Sequence, residues 1–245
     1  MKAFPALLVC LFLLSGCSGG GSGTPPPQNA DVSGPWQAIA TSTANPSAKI
    51  TVEANLADAN GSVSSTAFVV LNSCVQSVSG SGVTGTVSGN NVTLTASYNG
   101  VTVMLTGTVA GKTISGTYTA SGACGSDSGT WTAQQMPQII GNYSGSVFSN
   151  SNPNQGITVS ATVSTDSTFA ITGSASIASI CFNQMSLSGN QVGGAAEITA
   201  TDAQGNTVIF LFISNDAVFG SITGTYSVTT GTCSGDAGSG TLTKG

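Results

Sequence analysis

The side chains that most often perform catalysis are scarce in this sequence. It contains no histidine and no arginine, so it lacks the one side chain that titrates near neutral pH without special burial. A pair of carboxylates could serve glycoside hydrolysis, but Glu53 and Glu197 occupy non-equivalent places in the two halves of the chain. We therefore expect a protein that is not an enzyme and that holds no metal ion or cofactor.

The charge balance narrows the choice of partners. Nine acidic residues against four lysines give a net charge of −5, and an acidic chain without arginine offers no patch that binds phosphate groups. Nucleic acid is therefore not expected as a partner. The other polar residues are mainly Ser, Thr, Asn and Gly, which are common on strand surfaces and in tight turns.

The first 16 residues have the features of an export signal. Lys2 precedes an apolar run, from Ala6 to Leu14, that is too short to span a bilayer as a mature helix. This run leads into Leu14-Ser15-Gly16-Cys17, which resembles the lipobox of bacterial lipoproteins. The resemblance implies cleavage before Cys17 and acylation of that residue, for example with palmitate, which gives a stable membrane anchor. The alternative is an ordinary signal peptide that is cleaved elsewhere.

The residues after the lipobox read as a spacer. Residues 17–30 are rich in Gly, Ser and Pro, and such a segment behaves as a tether between a membrane and a folded domain. Ser18 follows the acylated cysteine, which resembles the pattern of lipoproteins that are sorted to the outer membrane. The resemblance implies a lipid-anchored protein of the cell envelope, on the periplasmic or cell-surface face of that membrane.

Two copies of one unit follow the tether, over residues 31–135 and 139–245. Each copy opens on a Gly-x-aromatic triplet, continues through an Asn-Pro turn and an alternating strand, and ends on a Gly-Thr-Tyr strand and a Cys-x-x-Asp-x-Gly segment. Such internal similarity indicates a tandem of homologous domains. The clearest matches are Ile114–Tyr118 with Ile222–Tyr226, and Cys124–Gly129 with Cys233–Gly238.

The cysteines follow the same division. Of the six, one leaves with the export signal, Cys17 is assigned to the lipid, and each repeat holds two of the others at a similar separation. An oxidising compartment permits disulfides, and the repeat favours bonds within each copy, Cys74 with Cys124 and Cys181 with Cys233. A metal site is the rival interpretation, but it has no histidine and no closely spaced cysteine pair to rest on.

Alternation of polar and apolar residues with a period of two predicts an all-β fold. In the first copy it indicates eight strands at about residues 34–43, 48–58, 63–73, 82–88, 91–98, 101–109, 112–120 and 127–134. Turn residues such as Asn60-Gly61 separate them. Eight strands joined by short turns predict an antiparallel meander that closes into a barrel in each repeat, with a two-sheet β-sandwich as the alternative.

The Gly-x-Trp opening at Trp36, the eight-strand meander and the late Gly-Thr-Tyr strand resemble the calycins, the group that contains lipocalins and avidins. The second copy departs from this pattern, because Tyr143 stands where the first copy has tryptophan. An eight-stranded barrel is just wide enough to be filled by side chains or to hold one small molecule, and the resemblance carries over no individual ligand-binding residue.

The candidate functional residues fall into three sets. Inward-pointing aromatic residues could line a ligand site or simply fill the core, and these are Trp36, Tyr118, Trp131, Tyr143 and Tyr226. The repeated aspartates Asp127 and Asp236 could contact an ion, or they could accept backbone hydrogen bonds in a turn whose glycine has positive φ. A third set is expected to point outward and to form an interface with the other repeat, a partner or lipid: Val208, Phe210 and Phe212.

These observations lead to one expectation with two alternatives. The chain is expected to be a membrane-anchored, non-enzymatic envelope lipoprotein that binds a small ligand or an envelope protein. The first alternative is a purely structural or adhesive surface protein, and the second, an enzyme, is disfavoured by the lack of histidine. Ligand binding and a structural role differ in a measurable property, because binding requires an open, partly apolar cavity in a barrel mouth, whereas a structural role is compatible with filled barrels.

Overall fold

The computed structural model describes residues 28–47, 49–71, 82–98, 100–122, 125–214 and 216–245, and in this part of the chain all regular structure is antiparallel β-sheet. Cys17, Cys74 and Cys124 lie outside the described residues, as do the export signal and most of the tether. Among the described residues, no helix has the length and hydropathy needed to cross a bilayer.

The first barrel is closed, since β1 pairs with β2 on one side and with β8 on the other. The barrel interpretation is therefore confirmed against the sandwich, and the predicted strands agree with the observed ones to within two residues at each end. The strands are β1 Gly34–Ser42, β2 Lys49–Ala59, β3 Ser62–Leu71, β4 Val83–Ser88, β5 Asn91–Tyr98, β6 Val101–Ala110, β7 Thr113–Gly122 and β8 Asp127–Gln135.

The second barrel repeats this topology, with β9 pairing to both β10 and β16. We call the end that carries the β9–β10, β11–β12, β13–β14 and β15–β16 loops the mouth, and the opposite end the base. The strands are β9 Gly141–Ser149, β10 Asn152–Thr165, β11 Ala170–Ile177, β12 Gln184–Val192, β13 Ala195–Asp202, β14 Thr207–Ser214, β15 Ser221–Thr230 and β16 Ala237–Lys244.

Glycines at inward positions allow close approach of neighbouring backbone and of aromatic rings. A Cβ at Gly107 would lie 2.9 Å from the Ser115 carbonyl oxygen and 3.0 Å from the Trp131 ring. A Cβ at Gly129 would lie 2.0 Å from the Thr41 carbonyl oxygen and 2.9 Å from the Tyr118 ring. A Cβ at Gly238 would lie 2.0 Å from the Phe148 carbonyl oxygen and 2.7 Å from the Tyr226 ring. The small inward residues therefore accommodate large neighbours, and the middle of the second barrel retains a void of only about 30 Å³.

The base of each barrel is covered by the segment that precedes its first strand. Val32 is buried in the core of the first barrel, where its carbonyl oxygen accepts a hydrogen bond from the Trp36 indole N–H at 2.8 Å. Ile139 is buried at the equivalent place in the second barrel, and its carbonyl oxygen accepts a 2.7 Å hydrogen bond from the Thr165 hydroxyl.

Strand β14 faces the opposite way from the sequence-based prediction. Leu211 alternates with the residues that were expected to point outward, so that prediction places it in the core, but it is 49% exposed. The three residues that were expected to point outward as an interface are instead buried in the core of the second barrel, namely Val208, Phe210 and Phe212. They are therefore not an interface.

The reason lies in the length of one hairpin. Leu105 pairs with Tyr118 in the first barrel, whereas Phe210 pairs with Tyr226 in the second. The β14–β15 hairpin therefore holds three more residues between paired positions than the β6–β7 hairpin. Because side chains alternate between the two faces of a strand, an odd insertion moves every side chain of the preceding strand to the other face.

The two barrels meet through polar groups. The β12–β13 turn at the base of the second barrel packs against β1, β2 and β3 of the first. The Asn55 side chain bonds to the Gln191 carbonyl oxygen at 2.7 Å and accepts the Gly193 N–H at 2.9 Å. The Glu53 carboxylate accepts the Gly194 N–H at 2.5 Å. Glu53 and Asn55, which would otherwise be surface residues, are therefore buried.

Glycine is required in this turn. Gly193 has a φ of +57°, and a Cβ there would lie 2.3 Å from the Trp36 carbonyl oxygen. A Cβ at Gly194 would lie 2.6 Å from the Gln37 amide nitrogen. The turn backbone thus contacts the wall of the first barrel directly, and any side chain would separate the two surfaces.

The junction should make stability depend on pH. Burial raises the pKa of Glu53 to about 7, although hydrogen bonds from Gln37 and Gly194 act to lower it. The folded chain then binds a proton more tightly than the unfolded chain, whose Glu pKa is near 4.5. The stabilisation is complete below pH 4.5 and is lost as the pH rises through 7, by about 3 kcal/mol in total.

We expect Glu53→Gln to remove most of this pH dependence, while Glu197→Gln, at an exposed position on β13, keeps it. Urea unfolding at pH 5 and pH 8 measures the difference for each variant. Parallel pH profiles for wild type and Glu53→Gln would show that the buried carboxyl does not govern the junction.

Candidate functional site

A cavity of about 250 Å³ opens at the mouth of the second barrel. It lies between the ends of β9, β10, β14 and β15 and the loops that carry the disulfide. Its lining combines apolar side chains from the barrel interior with polar groups at the rim: Val147, Ser149, Asn152, Gln155, Gly156, Ile157, Ile177, Ala178, Ser179, Ile180, Cys181, Phe182, Val208, Phe210, Tyr226 and Asp236.

An irregular start to β10 borders this cavity. The pairing of β10 with β9 shifts register between Asn152 and Gly156, and the residues between them have no partner on β9. All five residues from 152 to 156 are exposed. Such bulges bend a strand and are common at barrel rims. Here the bulge lies at the rim of the cavity, which the β11–β12 loop also lines.

The Cys181–Cys233 disulfide spans the mouth. It joins the β11–β12 loop to the β15–β16 loop, with the two Cα atoms 5.9 Å apart. This confirms the predicted pairing in the second repeat. The bond fixes the loop that presents Ile180, which is fully exposed at the rim, and Phe182, which packs against the core.

A carboxylate lies at the polar side of the cavity. Asp236 accepts hydrogen bonds from the Ser149 hydroxyl at 2.5 Å and from the Tyr226 hydroxyl at 2.8 Å. Burial, followed by the hydrogen bond and the charge of Asp236, raises the pKa of Tyr226 to about 12. The tyrosine is therefore neutral at physiological pH and acts as a donor to the carboxylate. We call these three residues the Ser–Asp–Tyr cluster.

The same cluster occurs in the first barrel. Asp127 accepts hydrogen bonds from the Ser42 hydroxyl at 2.7 Å and from the Tyr118 hydroxyl at 2.6 Å. These bonds lower the pKa of Asp127, and burial together with the aspartate raises the pKa of Tyr118 to about 12. The repeated aspartates thus bond to side chains from neighbouring strands, which differs from the predicted backbone turn.

The serine of the cluster could have been identified from the sequence. Ser42 and Ser149 each stand three residues before an Asn-Pro pair, so both serines belong to the repeat. The glycine that follows each aspartate by two residues was also misassigned. Gly129 and Gly238 do not have positive φ. They allow the backbone of the neighbouring strand, at Thr41 and Phe148, and the tyrosine rings to approach closely.

Aromatic side chains form the apolar side of the cavity. The Phe210 ring stacks on Phe212 with centroids 5.5 Å apart and lies 6.2 Å from the Tyr226 ring. Phe182, in the β11–β12 loop that the disulfide holds, also lines this side. Because β14 faces inward at Val208 and Phe210, these side chains line the interior face of the cavity, where the sequence-based prediction had placed an outer surface.

The five predicted aromatic candidates belong to the cores. Trp36, Tyr118 and Trp131 are buried in the first barrel, with the Trp131 indole N–H donating to the Thr106 carbonyl oxygen at 3.1 Å. Tyr143 is buried in the second barrel, and its hydroxyl has no hydrogen-bond partner among the described residues. Tyr226 is buried and also lines the mouth cavity.

No family model matches the sequence, and no curated protein does either. Among solved structures, the chain is similar to kievitone hydratase from Nectria haematococca, with 14% identity over 86% of this chain and 88% of that one and a TM-score of 0.28. It is similar to a candidate outer membrane protein from Bacteroides fragilis, with 12% identity over 87% and 98% and a TM-score of 0.31.

A third similar structure is a DUF3598 family protein of unknown function from Nostoc punctiforme, with 10% identity over 86% of this chain and 94% of that one and a TM-score of 0.26. At these identities and TM-scores, none of the three similarities supports an inference about what this chain does. The candidate site therefore rests on its own geometry.

The Ser–Asp–Tyr cluster should contribute equally to both barrels. Tyr226→Phe removes a hydrogen bond to a carboxylate, and we expect the free energy of unfolding to fall by about 1–2 kcal/mol. Tyr118→Phe is the matched variant in the first barrel and should show a similar loss. Urea unfolding at pH 7 measures both. A loss of stability in neither variant would mean that the cluster does not support the fold.

Proposed function

We propose that this chain is a non-enzymatic lipoprotein of the bacterial cell envelope, anchored through Cys17, that binds one small and largely apolar molecule in the mouth of its second barrel. The observation that carries the binding proposal is the 250 Å³ cavity, lined by aromatic and aliphatic side chains and by one carboxylate. Ligand sites in proteins commonly combine an apolar lining with a few convergent polar groups.

The size of the cavity sets the size of the ligand. An apolar cavity of roughly 150 Å³ is large enough for benzene, whereas sites for drug-sized molecules begin near 300 Å³. A volume of about 250 Å³ therefore suits a single substituted aromatic ring or a short aliphatic chain. The filled middle of the barrel supports the same conclusion, because it gives a long acyl chain no space to extend.

The construction of the mouth favours binding over a purely structural role. A barrel that served only as a spacer would gain stability from a filled mouth, since buried cavities forfeit packing energy. Here the bulge at the start of β10 borders an open mouth, and the disulfide holds one rim in place. A site with a fixed rim loses less conformational freedom when a ligand binds.

Binding can be tested with 3-phenylpropan-1-ol, a neutral and water-soluble compound of suitable size. We expect the full chain in detergent micelles to bind one equivalent by titration calorimetry, after subtraction of a detergent-only titration. Ala178→Trp, which places an indole in the cavity lining, should weaken binding at least about tenfold. Ala110→Trp, at an exposed position on the first barrel, is the matched control and should bind as wild type does.

Absence of binding to wild type, or equal binding to the Ala178→Trp variant, would contradict the proposed site. The chain would then be better explained as a structural or adhesive surface protein. A fall in binding for both tryptophan variants would indicate a general effect of the added indole, which also contradicts a site in the mouth.

The anchor is a separate prediction. We expect Cys17→Ser to abolish incorporation of labelled palmitate, because the other cysteines of the mature chain are assigned to disulfides. Cys10→Ser, in the apolar run of the export signal, is the matched control and should be labelled normally. Palmitate on the Cys17→Ser variant would contradict the lipobox assignment.

A further inference from the structure

The negative charge at the mouth of the second barrel has no cationic partner among the described residues. Asp236 accepts hydrogen bonds from the hydroxyls of Ser149 and Tyr226, and both of these donors are neutral. No lysine lines the cavity, and the chain has no arginine. The carboxylate is therefore held in place by its neighbours without being neutralised by them.

The lysines of the described chain lie elsewhere in the fold. Lys244 ends β16 at the base of the second barrel, whereas Lys49 and Lys112 belong to the first barrel. A second carboxylate, Asp202, is the last residue of β13, at the same end of the barrel as the cavity. The electrostatic potential at the mouth is therefore negative, and it favours cations over anions there.

Three aromatic rings line the cavity that holds this carboxylate. Phe210 and Tyr226 lie on neighbouring strands with their ring centroids 6.2 Å apart, and Phe182 lies in the disulfide-linked β11–β12 loop. The faces of aromatic rings attract cations, most strongly when the cation loses its water shell. Rings beside a carboxylate are an arrangement that recognises an ammonium group, whose charge the carboxylate balances and whose methylene or methyl groups contact the rings.

We propose that the mouth of the second barrel binds a small organic cation, in which an ammonium group is carried on a short aliphatic or aromatic body, and that it discriminates against anions. The inference rests on the proposed function, and it adds the chemical class of the ligand. In this proposal the ammonium group of the ligand contacts the Asp236 carboxylate, and its apolar body packs against the side chains of Phe210, Phe182 and Val208.

The repeat provides an internal comparison. The first barrel keeps the same carboxylate cluster at Asp127, but it has Leu105 where the second barrel has Phe210, since each of these residues pairs with the tyrosine of its cluster. The cluster is thus a shared structural element, whereas at this paired position the second barrel carries a ring and the first does not. This assigns cation recognition to the second mouth.

The test uses three compounds with one body and different head groups: 3-phenylpropan-1-amine as the cation, 3-phenylpropan-1-ol as the neutral compound and 3-phenylpropanoate as the anion. We expect the cation to bind the full chain about fivefold more tightly than the alcohol, which is the upper range for a partly exposed ion pair. The anion should bind more weakly than the alcohol. Calorimetry at pH 7 in low salt measures all three.

Asp236→Asn should bring the affinities of the amine and the alcohol to within about twofold of each other, while Asp127→Asn leaves the preference as it is in wild type. If Asp236→Asn does not fold, the preference for the amine is instead measured on the wild-type chain at low and high salt. Screening over roughly 3 Å at 1 M salt should remove most of the preference for the amine and leave binding of the alcohol unchanged.

The outcomes separate this inference from the proposed function. If all three compounds bind equally well, or if the anion binds best, the inference is wrong and the apolar binding site stands. If none of the compounds binds, both are wrong. A preference for the amine that persists in 1 M salt and in Asp236→Asn would mean that another group recognises the cation, which also overturns the inference.

Discussion

Closure of each sheet on itself is the constraint on which the rest of the structure depends. Because β1 and β9 each pair on both sides, neither sheet ends in an edge strand, and the interior is only as wide as eight strands allow. Side chains fill that width, with glycines opposite the larger rings. Among the described residues of the second barrel, the space for a ligand therefore lies at the mouth, and the base is covered by Ile139 and its neighbours.

Local patterns in the sequence were sufficient for the strands, the closed topology and the disulfide of the second repeat. They were insufficient for β14. Which face of this strand is buried depends on whether the number of extra residues in the β14–β15 hairpin is odd or even, and the turn residues do not show that number. They were also insufficient for Glu53 and Asn55. Alternation correctly places both on the outer face of β2, but only the folded tandem shows that the second barrel covers that face.

Comparison of the two barrels separates what the fold requires from what one copy has acquired. Both keep the Ser–Asp–Tyr cluster, the glycine beneath each tyrosine and the covered base. They differ at Trp36 and Tyr143, where replacement of an indole that bonds to Val32 leaves a buried hydroxyl without a partner among the described residues. They differ again at Leu105 and Phe210. The second copy thus departs from the common plan mainly in its interior, including the residues that line its mouth.

The glycine turn that joins the barrels has a consequence for how the tandem can be observed. Amide protons in a two-residue hairpin turn normally exchange quickly with solvent, since loops open at little cost. The amides of Gly193 and Gly194 are instead bonded to Asn55 and Glu53 on the other barrel. Their deuterium uptake therefore becomes faster when the two halves separate, even while each barrel stays folded.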